Sequence, residues 1–204
     1  MSLETNKTLG GVGAILMVVG LLGFFGAAYA LILCLVGIIL VLIALKGLAD
    51  HYQESSIFNN ALYGFITIIL GGVACIAVIV VMVMTMVLPG IDLSDPSAIQ
   101  RYFMDINNLW AFVGSLIAAF VLLFVFVVVS AVLFRKSLDS LSAKSGEKLF
   151  RTAGLLWLIG AILFIVFFVG VILIWISWIL MAVAFFSMKT AGQPTAAQPP
   201  QPPP

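Results

Sequence analysis

Few side chains in this sequence have the chemistry to carry a reaction, and their spacing argues against one. The single histidine, His51, has no evident nucleophile beside it, and a general acid or base must stand within reach of the group it serves. Cys34 and Cys75 both fall inside apolar runs, where thiols serve as small packing groups. With one histidine in a separate polar segment they do not make a metal-ligand set. Met82, Met84 and Met86 alternate. Thioethers suit Cu(I), but on a helix positions two apart point ~200° from each other. Only Met82 and Met86 then share a side, and packing is the simpler role. Thr67, Thr85, Ser115, Ser130 and Ser177 also lie in apolar stretches. Such hydroxyls bond within their own helix or bridge to another, and lining a pore is the alternative. No ionisable side chain falls well inside an apolar stretch, which counts against a proton-coupled pump or a voltage sensor. The sequence therefore offers no catalytic residue, no cofactor site and no metal site, and the expected class is a non-enzyme.

The elements that hold these residues are membrane spans. The chain is 64% hydrophobic and only 8% charged, whereas soluble domains carry about 25% charged residues. The stretch from Leu9 to Leu45 would be ~55 Å long as one helix, against a hydrocarbon core ~30 Å thick. It must cross twice, turning near Gly26-Ala27-Ala28-Tyr29, and Thr152 to Met188 splits the same way near Phe167–Gly170. The expected fold is an all-α integral membrane bundle of six transmembrane helices at about 10–26, 29–48, 61–88, 109–134, 152–168 and 171–188. Ser55 or Ser56 is expected to cap the third span, and Pro89-Gly90 to end it. Between the third and fourth spans, Asp95-Pro96 reads as a helix start, and Ile99, Tyr102, Phe103 and Ile106 recur as one apolar face. A short extracytoplasmic amphipathic helix is expected there, lying on the membrane surface or covering the bundle. The Ala28-Tyr29-Ala30 triplet resembles a signal-peptide cleavage site, but the apolar run continues through Cys34 and the segment reads as a retained span. Residues 190–204, rich in Pro, Ala and Gln, read as a disordered cytoplasmic tail.

Charge sets the expected orientation. Under six spans Lys7, Lys46, Arg135, Lys136, Lys144, Lys148, Arg151 and Lys189 share one side, and only Arg101 lies on the other. Basic residues concentrate on the cytoplasmic side, so the expected location is the cell membrane with both termini cytoplasmic. Four spans would divide the same residues six to three. The basic residues are too few and too scattered for nucleic acid. Lys144, Lys148 and Arg151, expected to share a face near the start of the fifth span, are candidates for contact with anionic lipid.

Helix packing is the role with the best physical support. Gly10 and Ala14, Gly71 and Cys75, and Gly114 and Ala118 are small pairs four apart, and Gly13 and Gly20 are seven apart. Small residues let helix backbones approach closely, within one chain or between chains, so the expected partners are the bilayer and either a second copy or a membrane complex. The first and last pairs of spans also align at an offset of 140, with Gly20 meeting Gly160, Phe24 meeting Phe164 and Ala44 meeting Ala184. Such a parallel repeat occurs in transporters and suits a purely structural bundle equally. A permease or channel for a small solute is therefore the alternative function. Asn59, Asn60, His51 and Tyr52 would form the inner functional surface, if there is one.

The segments SLETNKTLGGVGAILMVVGLLGFFG, GLADHYQESSIFNNALYGFI and WILMAVAFFSMK together resemble a mainly archaeal family of small multi-pass membrane proteins, domain of unknown function 996. The resemblance covers residues 2–189. It implies a multi-pass membrane protein, and it carries no established activity and no catalytic residues.

Overall fold

The computed structural model describes residues 2–23, 29–90, 94–95 and 97–188, with the side chains of Leu31, Phe167 and Phe168 excepted. The expected tail, 190–204, and the first turn at Gly26-Ala27-Ala28 lie outside the described residues. The rest is helical: α1 Leu3–Gly23, α2 Ala30–Tyr52, α3 Ser55–Met82, α4 Ala98–Met104, α5 Ile106–Ser145, α6 Leu149–Ile162 and α7 Phe167–Ser187. Five of these segments are long and apolar enough to cross a membrane, and a shorter apolar one covers Leu149–Ile165. The fold is an all-α membrane bundle.

The helices run further than the expected spans at the basic end. α1 starts at Leu3, and α2 continues through Asp50 and His51 to Tyr52. The expected polar link between the second and third spans shrinks to Gln53 and Glu54. Gln53 takes the left-handed conformation that reverses the chain (φ 52°). Neither Ser55 nor Ser56 caps α3. Its N-cap is Glu54, whose carboxylate instead accepts from the Ser56 hydroxyl at 2.8 Å. The largest departure is α5, which does not end near Phe134 but runs on through Arg135, Lys136 and Lys144 to Ser145. Nothing in that segment breaks a helix until Gly146 (φ 75°). Arg135 and Asp139 pair across one turn at 3.6 Å, and Phe134, Ser137, Leu138 and Leu141 form a buried stripe on the opposite side. The charged face hides an amphipathic helix.

At the other end α3 passes into a π-helical turn, Val83–Val87, and a 3-10 turn, Leu88–Gly90, ending at Pro89-Gly90 as its sequence suggests. Helix α4 is only seven residues long. Tyr102 is buried and donates to the Met86 carbonyl at 2.7 Å, supplying a partner where the π turn shifts the backbone ladder. Ile99 is exposed, and Ile106 belongs to α5 because Asp105 breaks the helix and caps the next. The expected four-residue apolar face is therefore a two-residue contact by Tyr102 and Phe103, which pack edge to face. The turn between α6 and α7 comes at Val166, so α7 begins at Phe167 rather than 171.

Among the described residues the five long helices and the shorter α6 form three antiparallel hairpins, α1–α2, α3–α5 and α6–α7. These close into a ring through α2–α3, α5–α6 and α7–α1 packing. Trp175 helps to close it by donating from its indole to the Val18 carbonyl at 3.2 Å. Each hairpin is held by small residues at heptad spacing. A Cβ on Gly37 would stand 2.8 Å from the Gly13 carbonyl, and one on Gly20 3.2 Å from the Ala30 carbonyl. In the last hairpin Ser177 donates to the Ala153 carbonyl at 2.7 Å, and a Cβ on Gly160 would stand 3.0 Å from the Gly170 carbonyl. These pairs are the first set displaced by 140 residues. The sequence alignment thus extends to packing register. In the middle hairpin Ser130 donates to the Gly64 carbonyl at 2.7 Å, and Ser137 to that of Ile57.

Packing is densest at the basic end. Leu45, Leu48, Ile57, Leu138, Phe150 and Phe185 are fully buried there. In the far halves of α3 and α5, Val73, Ile76, Val121 and Val125 are exposed.

Candidate functional site

The interior of the ring is filled with rings of another kind. Phe134, Trp157 and Trp178 pack together at centroid distances of 5.0–6.0 Å. The space beside them, bordered by Ile38, Phe65 and Ser130, holds only about 40 Å³. The hydroxyls that a conduit would need are spent on backbone. Thr67 donates to the Tyr63 carbonyl at 2.7 Å and Ser115 to that of Ala111 at 2.9 Å, each within its own helix. Ser130 bridges α5 to α3. Among the described residues no group of three or more His, Cys, Asp and Glu is placed to hold a metal ion.

A roomy concavity lies on the outside, where α2 and α3 diverge from the Gln53–Glu54 turn. It is an open groove of about 580 Å³ walled by Ile39, Leu42, Ile43, Phe58 and Leu62. Lys46, Asp50 and His51 stand at its polar end. A second hollow of about 350 Å³ shares Lys46, Asp50 and Phe58 and adds Gln53, Ser55 and Asn59. Lys46 and Asp50, one turn apart on α2, form an ion pair at 3.0 Å with both side chains more than half exposed. The Lys46 ammonium also sits 5.4 Å from the centre of the Phe58 ring, within cation–π range. The local pattern follows from the sequence: α2 is apolar up to Leu45, so Lys46, Asp50 and His51 mark where it leaves hydrocarbon. Of the residues expected on an inner surface, His51 borders the groove and Asn59 the smaller hollow beside it. Tyr52 packs against the core and Asn60 is half-buried. The lining by Lys46, Asp50, Phe58 and Leu62 was not foreseen, although the i, i+4 spacing of Lys46 and Asp50 was a visible signal. Behind the groove wall, the amide of Asn6 is buried against Gly47 without a hydrogen-bond partner.

Next to the groove, Glu54 ties the α2–α3 turn to the α5 extension through an ion pair with Lys144 at 3.4 Å. Ser56 bonds Ser140 alongside it at 3.1 Å. The Ser56 hydroxyl, and then Lys144, hold the Glu54 carboxyl below the usual carboxylate range. Lys144 therefore does not share a face with Lys148 and Arg151. It closes α5, whereas Lys148 is the N-cap of α6 and Arg151 lies in the first turn of α6.

The small residues divide into two groups. Gly10 packs against Phe185 of α7, and Ala14 is fully buried. Gly13 and Gly20 meet α2, with Gly20 against Cys34, and Gly71 meets Phe126 of α5. Cys75 is half-buried. Gly114 and Ala118 are exposed, and a Cβ on Gly114 would meet nothing within 4 Å. That pair does not pack within the described chain. Met82 is buried, while Met84 is exposed, so the methionines do not converge.

No solved structure matches the chain. It is 31% identical over 190 residues, 92% of this chain and 94% of the relative, to an uncharacterised protein of Methanocaldococcus jannaschii. A family model described as protein of unknown function, DUF996, matches residues 33–179. That match takes in both walls of the α2–α3 groove and all three ring tryptophans at 157, 175 and 178, and the chain belongs to the DUF996 family.

Proposed function

We propose that this protein is a non-enzymatic structural or accessory component of the membrane that acts through helix packing, as an oligomer or within a larger membrane complex. The observation that carries the reading is the ring interior: Phe134, Trp157 and Trp178 fill it, and only about 40 Å³ remains. A permease or channel needs a polar path, and the intramembrane hydroxyls are bonded to backbone carbonyls instead. The outward-facing small pair, Gly114 and Ala118, supports contact with a neighbouring helix. Purification in mild detergent followed by mass analysis tests the reading. An assembly larger than one chain, or a stoichiometric partner, is expected; a clean monomer overturns it.

The finer topology belongs to the same proposal. Six crossings, counting the short Leu149–Ile165 segment, would put both termini on one side of the membrane, and we take that side to be the cytoplasm of a cell-membrane protein. That segment rises ~27 Å as fourteen α-helical and three 3-10 residues, close to the ~30 Å hydrocarbon core. The eight-to-one division of Lys and Arg supports it. Lys148 and Arg151, at the start of α6, then face anionic headgroups. Cysteine-accessibility labelling that placed Lys136 outside the cell would refute this arrangement.

A further inference from the structure

The geometry points to the α2–α3 groove as a binding site for one zwitterionic membrane phospholipid, with its phosphate on Lys46, its ammonium on Asp50 and one chain in the apolar trough. This goes beyond the packing role and does not depend on it. The groove has the two-part chemistry of an amphiphile. Its deep part is aliphatic and aromatic, from Ile39 to Leu62, and its mouth carries Lys46, Asp50 and His51, with Gln53 and Asn59 in the adjoining hollow that shares Lys46 and Asp50. From Lys46 the trough descends along α2 to Ile39, seven residues or ~10 Å. That depth lies within one leaflet, half of a ~30 Å core. The volume, about 580 Å³, falls within the ~300–1,000 Å³ of small-molecule sites.

Charge selects the headgroup. The mouth presents one cation and one anion 3.0 Å apart, both more than half exposed. A purely anionic lipid would satisfy Lys46 but stand beside an Asp50 carboxylate stripped of its partner. A headgroup bearing both a phosphate and an ammonium exchanges the internal pair for two matched contacts. Phe58, within cation–π range of Lys46, holds the ammonium of that lysine at the mouth. Gln53, Ser55 and Asn59 add neutral hydrogen-bonding groups around the phosphate position.

Native mass spectrometry of the full chain in detergent, titrated separately with phosphatidylethanolamine and phosphatidylglycerol, tests the site. The wild type is expected to retain one phosphatidylethanolamine per chain in preference to phosphatidylglycerol. Ile43→Trp, which fills the trough, is expected to abolish that retention, while Ile76→Trp, on the exposed far half of α3, leaves it intact. Lys46→Gln is expected to weaken binding of either lipid by about fivefold, the change for about 1 kcal/mol per basic contact. Asp50→Asn is expected to reverse the headgroup preference, a readout that does not rely on Ile43→Trp folding. Equal retention by Ile43→Trp and Ile76→Trp, or a preference unmoved by Asp50→Asn, overturns the proposal and leaves only unselective annular lipid.

Discussion

Replacing Gly13 by alanine probes the closest backbone approach in the first hairpin. An added Cβ would lie 2.7 Å from the Gly37 carbonyl oxygen, 2.9 Å from the Leu40 Cβ and 2.9 Å from the Val41 nitrogen. Two of these three are backbone atoms, which no rotamer change can move. Restoring ordinary contact requires α1 and α2 to separate by roughly 0.5–1 Å, a gap that forfeits a quarter to a half of each dispersion contact across the rung. Overpacking of this kind costs about 1–3 kcal/mol, or roughly 2–12 °C in melting temperature for a chain of this size. The assay is thermal unfolding in mild detergent followed by tryptophan fluorescence. Gly72→Ala, with nothing within 4 Å, is the matched control and is expected to melt at or slightly above the wild type. The last hairpin supplies a further check, because Ala153 and Ser177 occupy the positions of Gly13 and Gly37 there, with the serine bonded to the alanine carbonyl. Once one Cβ has separated the helices the second costs little, so Gly13→Ala with Gly37→Ser is expected to be less destabilised than the sum of its parts. A Gly13→Ala protein as stable as the wild type, or strict additivity in the double variant, would refute the close-approach argument.

Three other perturbations have defined outcomes. Gly146→Ala places a side chain at φ 75° and is expected to cost about 1–2 kcal/mol, read as a lower melting temperature; Gln53→Gly, relieving the same conformation (φ 52°), is expected to raise it. Ser130→Ala removes the bond to the Gly64 carbonyl and is expected to lose about 0.6 kcal/mol, and no more than about 1.7, measured by the same unfolding. Glu54 has its carboxyl held low, first by Ser56 and then by Lys144, so the folded state binds its proton less tightly than the unfolded state does. Its contribution is complete above the ordinary glutamate range and disappears as pH falls through the depressed folded value. Glu54→Gln is expected to flatten that acid limb of a stability-versus-pH profile while leaving the neutral and alkaline region parallel to the wild type.

Membrane class, the existence of the long helices and the end of the α3 segment were legible in the sequence. They depend on quantities that accumulate along the chain: hydropathy over bilayer-length windows, and the break signal at Pro89-Gly90. The extent of α5 was not, because its charged residues masked a stripe of Phe134, Leu138 and Leu141 whose apolar character matters only once Ile57 and Phe150 lie opposite. The alignment of the end hairpins was also visible as a repeat of residue types, and their shared register follows from small residues seven apart. What tertiary structure alone decided was which faces meet. It turned Gly13 and Gly71 inward and Gly114 outward, it sealed the ring with side chains from α5, α6 and α7, and it opened a groove beside Lys46 and Asp50. Local sequence sets how long a helix is and how oily. The direction each face points depends on crossing geometry among separate segments, from tens of residues apart, as Gly64 and Ser130 are, to more than a hundred, as Val18 and Trp175 are, and no window along the chain contains that information.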